Sequence, residues 1–175
     1  MPTLREKAKD EIQAILSKYP TKRSAVLPLC HLAQAEHGYM SPEAVHEVAE
    51  ILELDPTEVQ GLVGFYALLH ENPTGKYVIE ICEDLPCALR GAEQFIDHVC
   101  HKLGVSVGGT TDDGLFTVHT VMCVAACDRA PVAQINLEYY ENLDPDKFDD
   151  LLERLKNGAG AAPTEQSSAN TASGN

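Results

Sequence analysis

The 175-residue sequence predicts an α+β protein: a small N-terminal helical bundle followed by an α/β domain of order β-α-β-β-β-α. Three observations carry this. Apolar residues recur every three or four positions from Leu4 to Leu69, the signature of amphipathic helices. "ENPTG", residues 71–75, is a cluster of breakers. Beyond it, short runs rich in β-branched and aromatic residues alternate with helical patterns. The expected organisation is a bundle over residues 1–71, an α/β domain over 72–157 and a disordered tail over 158–175.

In the bundle, Leu4, Ala8, Ile12, Ile15, Leu16 and Tyr19 give a first helix that Pro20 stops. Ser24 is placed to cap a second, with Leu29, Leu32 and Ala33 on its buried side and Gly38 to end it in a left-handed conformation. Ser41 and Pro42 open a third, and Val45, Val48, Ala49 and Leu52 form its stripe. "DPTE", from Asp55, starts a fourth that carries Val59, Leu62, Val63, Tyr66 and Leu69. Gly61 and Gly64 lie at helical spacing within it and suggest close helix packing.

"KYVIEIC" then reads as a strand, and residues 92–103 as a helix with Phe95, Ile96, Val99 and Leu103 on one face and Gly104 at its end. "LFTVHTVMC" is a second strand, and "VAQINLEYYENL" is a pair of strands around a tight turn near Asn136 and Glu138. Asp144 and Pro145 open a last helix with Phe148, Leu151, Leu152 and Leu155 inward. The tail "GAGAAPTEQSSANTASGN" has no periodicity and no large apolar side chain to offset ordering entropy.

Composition excludes several functions. A hydrophobic fraction of 44% with 23% charged residues is that of a soluble globular protein, and no apolar run reaches the ~20 residues of a membrane helix. The first residues lack the apolar core of a signal peptide and read as a cytosolic start. A formal charge of −14 argues against a nucleic-acid partner, whose phosphates require clustered Lys and Arg. There is no P-loop, G-x-G-x-x-G fingerprint or Ser-His-Asp pattern, so the chain is not expected to bind NADH unaided.

The cysteines are the chemistry that remains. Cys82 and Cys87 are spaced C-x4-C, and Cys123 and Cys127 C-x3-C, each pair at the end of an apolar strand. In a reducing compartment such pairs favour metal binding over disulfides. A helix between two strands makes them parallel neighbours, so both pairs fall at the carboxyl edge of one sheet, where four thiolates can converge. Spacing alone leaves a structural zinc and a [2Fe–2S] cluster equally open. A thioredoxin-type redox pair fits less well, because neither spacing is C-x-x-C. Cys30 and Cys100 lie on amphipathic helices and read as packing residues. His98 and His101 lie off the apolar stripe and read as a solvated face, and His119, within a strand, offers a less favoured Cys3His arrangement.

Two long segments, "GFYALLHENPTGKYVIEICEDLPCALRGAEQF" and "GLFTVHTVMCVAACDRAPVAQINLEYYENL", carry a resemblance, together with the helical lead-in "KYPTKRSAVLPLCHLAQAEHGYMSPEAVHEVAEIL". They resemble the NuoE-type family, the 24-kDa thioredoxin-like ferredoxin subunit of respiratory complex I (NADH:quinone oxidoreductase). The resemblance implies a thioredoxin-like second domain and one [2Fe–2S] cluster on Cys82, Cys87, Cys123 and Cys127. It also implies an oxidoreductase subunit with no substrate site of its own. Its partner is a flavin subunit that holds FMN and NADH, and its place is on the cytoplasmic side of a membrane through its complex. Related diaphorase subunits of NAD-dependent hydrogenases and formate dehydrogenases share the pattern. The chain departs from many relatives in having Val124 and Ala125 in place of Leu-Gly after the third cysteine, and Asp128 near the fourth where they have Asn. Glu83, Asp84 and Asp128 are expected to lower the reduction potential, with Arg90 and Arg129 opposing them.

Overall fold

Pro42 and Pro56 open two helices and Gly38 closes another in the first half of the chain, as seen in a computed structural model that describes residues 3–158. Apart from Gly158, the expected tail lies outside the described residues. The chain divides into two compact units between Thr74 and Gly75.

The first unit contains α1 (Leu4–Lys7), α2 (Lys9–Leu16), a 3-10 turn (Lys22–Ala25), α3 (Val26–His37), α4 (Pro42–Leu52) and α5 (Pro56–Phe65). The expected first helix is two pieces, broken at Ala8, where φ is −123° and ψ 34°. No helix-breaking residue marks that position. The cap of the second helix also differs. Thr21 caps the 3-10 turn by accepting the Ser24 N–H, and α3 begins after it at Val26. Gly38 ends α3 at φ 84° as expected, Ser41 accepts the Ala44 N–H to cap α4, and Asp55 accepts the Thr57 N–H to cap α5. Leu4, Leu29, Met40, Val45, Val48, Leu52, Val59 and Val63 form the core. Each large side chain so buried contributes about 1.5–3 kcal/mol relative to exposure. Gly61 and Gly64 correct the packing expectation: both are exposed, and an added Cβ would meet nothing within 4 Å.

The second unit is built on β1 (Tyr77–Cys82), α6 (Leu85–Leu89), α7 (Ala92–Leu103), β2 (Phe116–Val121), β3 (Ala133–Ile135), β4 (Glu138–Tyr140) and α8 (Pro145–Lys156). The sheet order is β2-β1-β3-β4, with β1 and β2 parallel and the other pairings antiparallel. Asn136 and Leu137, at φ 49° and 72°, make the two-residue turn between β3 and β4. Alternation along β1 sends Tyr77, Ile79 and Ile81 into one core with Phe116, Val118, Ala133 and Ile135. Phe95 and Val99 of α7 and Phe148, Leu151, Leu152 and Leu155 of α8 close that face, Phe95 meeting Phe148 edge to face at 5.4 Å. Gly75, just before β1, lies against β2: a Cβ there would stand 2.9 Å from backbone atoms of Leu115 and Phe116. A third, smaller apolar cluster of Cys82, Cys87, Ala92, Val124, Ala130 and Val132 lies apart from this core.

Candidate metal centre

The parallel pairing of β1 and β2 puts their carboxyl ends side by side, Cys82 opposite Val121. Backbone bonds continue past the strands: the Cys82 N–H reaches Val132 O at 3.1 Å, and the Glu83 N–H reaches Val121 O at 3.0 Å. After Cys82, Asp84 accepts the Leu85 N–H at 2.8 Å and so caps α6, with Pro86 in the first turn. That short helix, absent from the sequence-level reading, carries Cys87 inward, and Gly91 at φ 90° turns the chain into α7. After β2 the chain passes Met122, Cys123, Val124 and Ala125, then enters a 3-10 turn, Cys127–Arg129.

The four paired cysteines neighbour one another in succession across the two loops. The Cys82 thiol lies 3.7 Å from Met122 O, across the two loops. Burial first, and then a hydrogen bond with Cys82, push the Cys87 thiol up to about 11; the Val132 N–H opposes this, and the nearby sulfurs of Cys82 and Cys127 add to it. Cys123 accepts the Ala125 N–H at 3.3 Å, which lowers its pKa. Desolvation, a hydrogen bond with Asp84 and the neighbouring Cys127 outweigh that donor and leave Cys123 raised. The neighbours thus run Cys82, Cys87, Cys127, Cys123, and Asp84 of the first loop touches the second. Cys82 and Cys87 are buried, whereas Cys123 and Cys127 are exposed. Among the described residues, no set of three or more His, Cys, Asp or Glu is disposed around a single metal ion.

The Cys87 and Cys123 thiols resist ionisation, Cys87 chiefly because it is buried, and both because their thiolates would form beside other sulfurs. A cationic centre taking four thiolates removes that repulsion, and backbone N–H groups already aimed at Cys87 and Cys123 favour the anionic sulfurs. The donor set therefore fits a thiolate-bound metal centre.

The second loop is tied down by contacts that the sequence did not disclose. The Tyr139 hydroxyl donates to Val124 O at 2.9 Å. The Arg129 guanidinium donates to Glu141 at 2.6 Å, the Asn142 N–H to Arg129 O at 2.7 Å, and the Leu143 N–H to Pro131 O at 3.0 Å. All come from β4 or the turn after it. Asp128 is exposed and lies 3.5 Å from the Arg129 side chain.

The remaining candidates stay outside this cluster. Cys30 is fully buried in the helical core, where burial pushes its thiol up to about 11. Cys100 packs at the edge of the sheet core. His98 corrects the solvated-face reading: it is partly buried and bonds Asp149 of α8 at 2.9 Å, while His101 is exposed. His119 stands opposite Glu80 within the β1–β2 ladder, not on the loops that carry the thiols.

A family model described as thioredoxin-like [2Fe-2S] ferredoxin matches residues 12–156. The chain is 38% identical over 161 residues to the second E-type subunit of the NADH-quinone oxidoreductase of Rhizobium meliloti, a match that covers 92% of this chain and 96% of that protein. It is 39% identical over 152 residues to NADH-quinone oxidoreductase subunit 2 of Thermus thermophilus, covering 85% of this chain and 84% of the relative. The match to the E-type subunit of the NADH-quinone oxidoreductase of Mycobacterium tuberculosis is 36% over 154 residues, 88% of this chain but only 61% of that longer protein. In fold it is similar to part of an NAD+-reducing [NiFe]-hydrogenase in the air-oxidised state, with a TM-score of 0.65 at 23% identity over 74% of this chain and 23% of the hydrogenase chain.

Proposed function

The chain belongs to the thioredoxin-like [2Fe-2S] ferredoxin family, and from that premise we propose that Cys82, Cys87, Cys123 and Cys127 are the ligands of its one [2Fe–2S] cluster. It is an electron-transfer subunit of an NADH:quinone oxidoreductase. Its partner is the subunit that holds FMN and NADH, with which it exchanges single electrons. It works on the cytoplasmic side of the membrane, attached through that complex. In the described residues no helix is long and apolar enough to cross a membrane. The domain reading is a helical bundle over 1–71 and a cluster domain over 72–157.

The observation that supports this most is the meeting of two thiol pairs at the carboxyl ends of parallel β1 and β2, inside the region that the family model matches. A [2Fe–2S] cluster held there supplies a one-electron couple. The chain's own residues do the rest. Val132 and Ala125 present N–H donors to the sulfurs of Cys87 and Cys123. Ala92, Val124, Ala130 and Val132 keep water from Cys82 and Cys87. On the loops that carry the thiols, Leu85, Leu89 and Met122 are 68%, 80% and 72% exposed, apolar surface suited to contact with another protein.

Anaerobic reconstitution of the full chain tests the reading. Equimolar iron and sulfide, visible charge-transfer bands and a rhombic paramagnetic signal on reduction are expected. A colourless chain holding stoichiometric zinc, and refusing iron after reconstitution, would replace the cluster by a structural zinc. Purification from native material, with identification of the accompanying flavin subunit, tests the partner and separates a quinone reductase from a diaphorase of a hydrogenase or formate dehydrogenase.

A further inference from the structure

One peptide group in the second thiol loop is held from both sides. The carbonyl of Val124 accepts the Tyr139 hydroxyl at 2.9 Å, and the N–H on the other side of the same plane, that of Ala125, lies 3.3 Å from Cys123 Sγ. In a trans peptide these two groups point in opposite directions, so Tyr139 and Cys123 pull on the two ends of one dipole. Ala125 adopts φ 60°, a left-handed backbone that costs a non-glycine residue free energy and persists only where the surroundings impose it. Tyr139 comes from β4, whose pairing with β3 through Gln134 fixes its position relative to the sheet.

We propose that Tyr139 is a positioning residue for the centre, its hydroxyl locking the Val124–Ala125 peptide so that the Ala125 N–H is delivered to the sulfur of Cys123. The inference rests on the reading of Cys123 as a cluster ligand. Its consequence is a tuned potential. A hydrogen bond to a ligand sulfur stabilises the reduced centre, with its extra negative charge, more than the oxidised one. Accepting a bond at the carbonyl also polarises the peptide and strengthens its N–H as a donor. Reduction adds one electron and breaks no bond in this relay. The phenolic proton stays on Tyr139, and the amide proton on Ala125.

The test uses the full chain loaded with its cluster, with dithionite as reductant and mediators to set the potential. Tyr139 is 42% exposed, so Tyr139→Phe removes a hydroxyl without opening a core. The expected result is a lower midpoint: at fixed potential the oxidised-to-reduced ratio rises roughly threefold, which is about 30 mV at 59 mV per decade for one electron. Pulsed paramagnetic resonance after exchange into D2O should show a weaker deuteron coupling at the cluster in the variant. A purely structural role would change cluster yield and leave both readouts in place.

Should Tyr139→Phe fail to retain iron, the double variant Tyr139→Phe/Ala125→Gly supplies a residue at ease in the left-handed region, still without the hydroxyl, and the lower midpoint is expected there. An unchanged or higher midpoint in either loaded variant overturns the relay and leaves the four-thiolate reading intact, as does failure of the double variant to load. A wild-type chain that takes up no iron overturns both.

Discussion

Gly75→Ala is the substitution whose outcome the packing determines most directly. The new Cβ would stand 2.9 Å from Leu115 C, Phe116 C and Phe116 N, all backbone atoms of or beside β2. None is the free end of a side chain, so either β2 or the chain entering β1 must move. Overpacking of this kind costs about 1–3 kcal/mol. Movement would also lengthen the buried hydrogen bond from the Gly75 N–H to Thr117 Oγ1, 2.6 Å long, a loss of about 1 kcal/mol. The stiffer alanine in the unfolded chain returns about 0.4–1 kcal/mol. The net expectation is a loss of about 2 kcal/mol from the sheet unit. Urea unfolding of the full chain, followed both by circular dichroism and by the absorbance of the loaded centre, reads it. With a slope of roughly 1–2 kcal/mol/M the midpoint falls by about 1–2 M. Gly61→Ala is the paired control, since its Cβ meets nothing within 4 Å and the residue lies in the middle of α5. It should stabilise by about 0.5–1 kcal/mol. A neutral or stabilising Gly75→Ala, with an unchanged slope, refutes the argument from backbone approach.

Asp128→Asn removes an exposed carboxylate from the turn that carries Cys127, while Arg129 keeps its ion pair with Glu141, so the midpoint should rise, by about 20 mV for a screened surface charge; spectroelectrochemical titration that gives a lower value contradicts the electrostatic account. Cys30→Ala and Cys100→Ala should leave iron content unchanged, whereas serine at Cys82, Cys87, Cys123 or Cys127 should diminish it, as metal analysis will read. Hydrogen bonds from Lys102 first and His98 second hold the Asp149 carboxyl below the usual range, and its folded-state pKa therefore lies under its unfolded value. The stability it contributes is present above the unfolded pKa and is lost as pH falls through the folded one. Asp149→Asn should accordingly be less stable than the parent near neutrality and converge on it in acid. The group is about one-third exposed and screened by salt, so the gap should be small and shrink as salt is added. A gap that grows on acidification runs against the stated linkage.

Much of the fold was legible from local chemistry. Gly38, Ser41, Asp55, Gly104 and Asp144 sit at helix boundaries because capping depends on a few adjacent atoms. The strands at "KYVIEIC" and "LFTVHTVMC" declared themselves by side-chain type, and the crossover rule then made them parallel. What escaped depends on distant partners. The break at Ala8 has no local signal. The short helix at Leu85–Leu89 is one turn long, too brief for periodicity to register. Gly61 and Gly64 have the spacing of a packing motif, yet no neighbour arrives to use it. Tyr139 reads from the sequence as one more strand aromatic, and its bond to a carbonyl fifteen residues away follows only from the β3–β4 turn and the path of the thiol loop. The positions of the thiols could be read from the chain alone; the contacts that hold them could not.

The small apolar cluster around Cys82 and Cys87 is separate from the large one that α7 and α8 close over the sheet. Scaffold and centre can therefore vary on different residues. With the cluster held as proposed, a substitution at Val124, Ala125 or Asp128 would retune its electron affinity without weakening the grip of Phe95 on Phe148, and a repacking beneath the helices would strengthen or loosen the body without reaching the sulfurs. For anyone wishing to reset this protein's voltage, the second thiol loop is the dial, and the rest of the molecule is the casing.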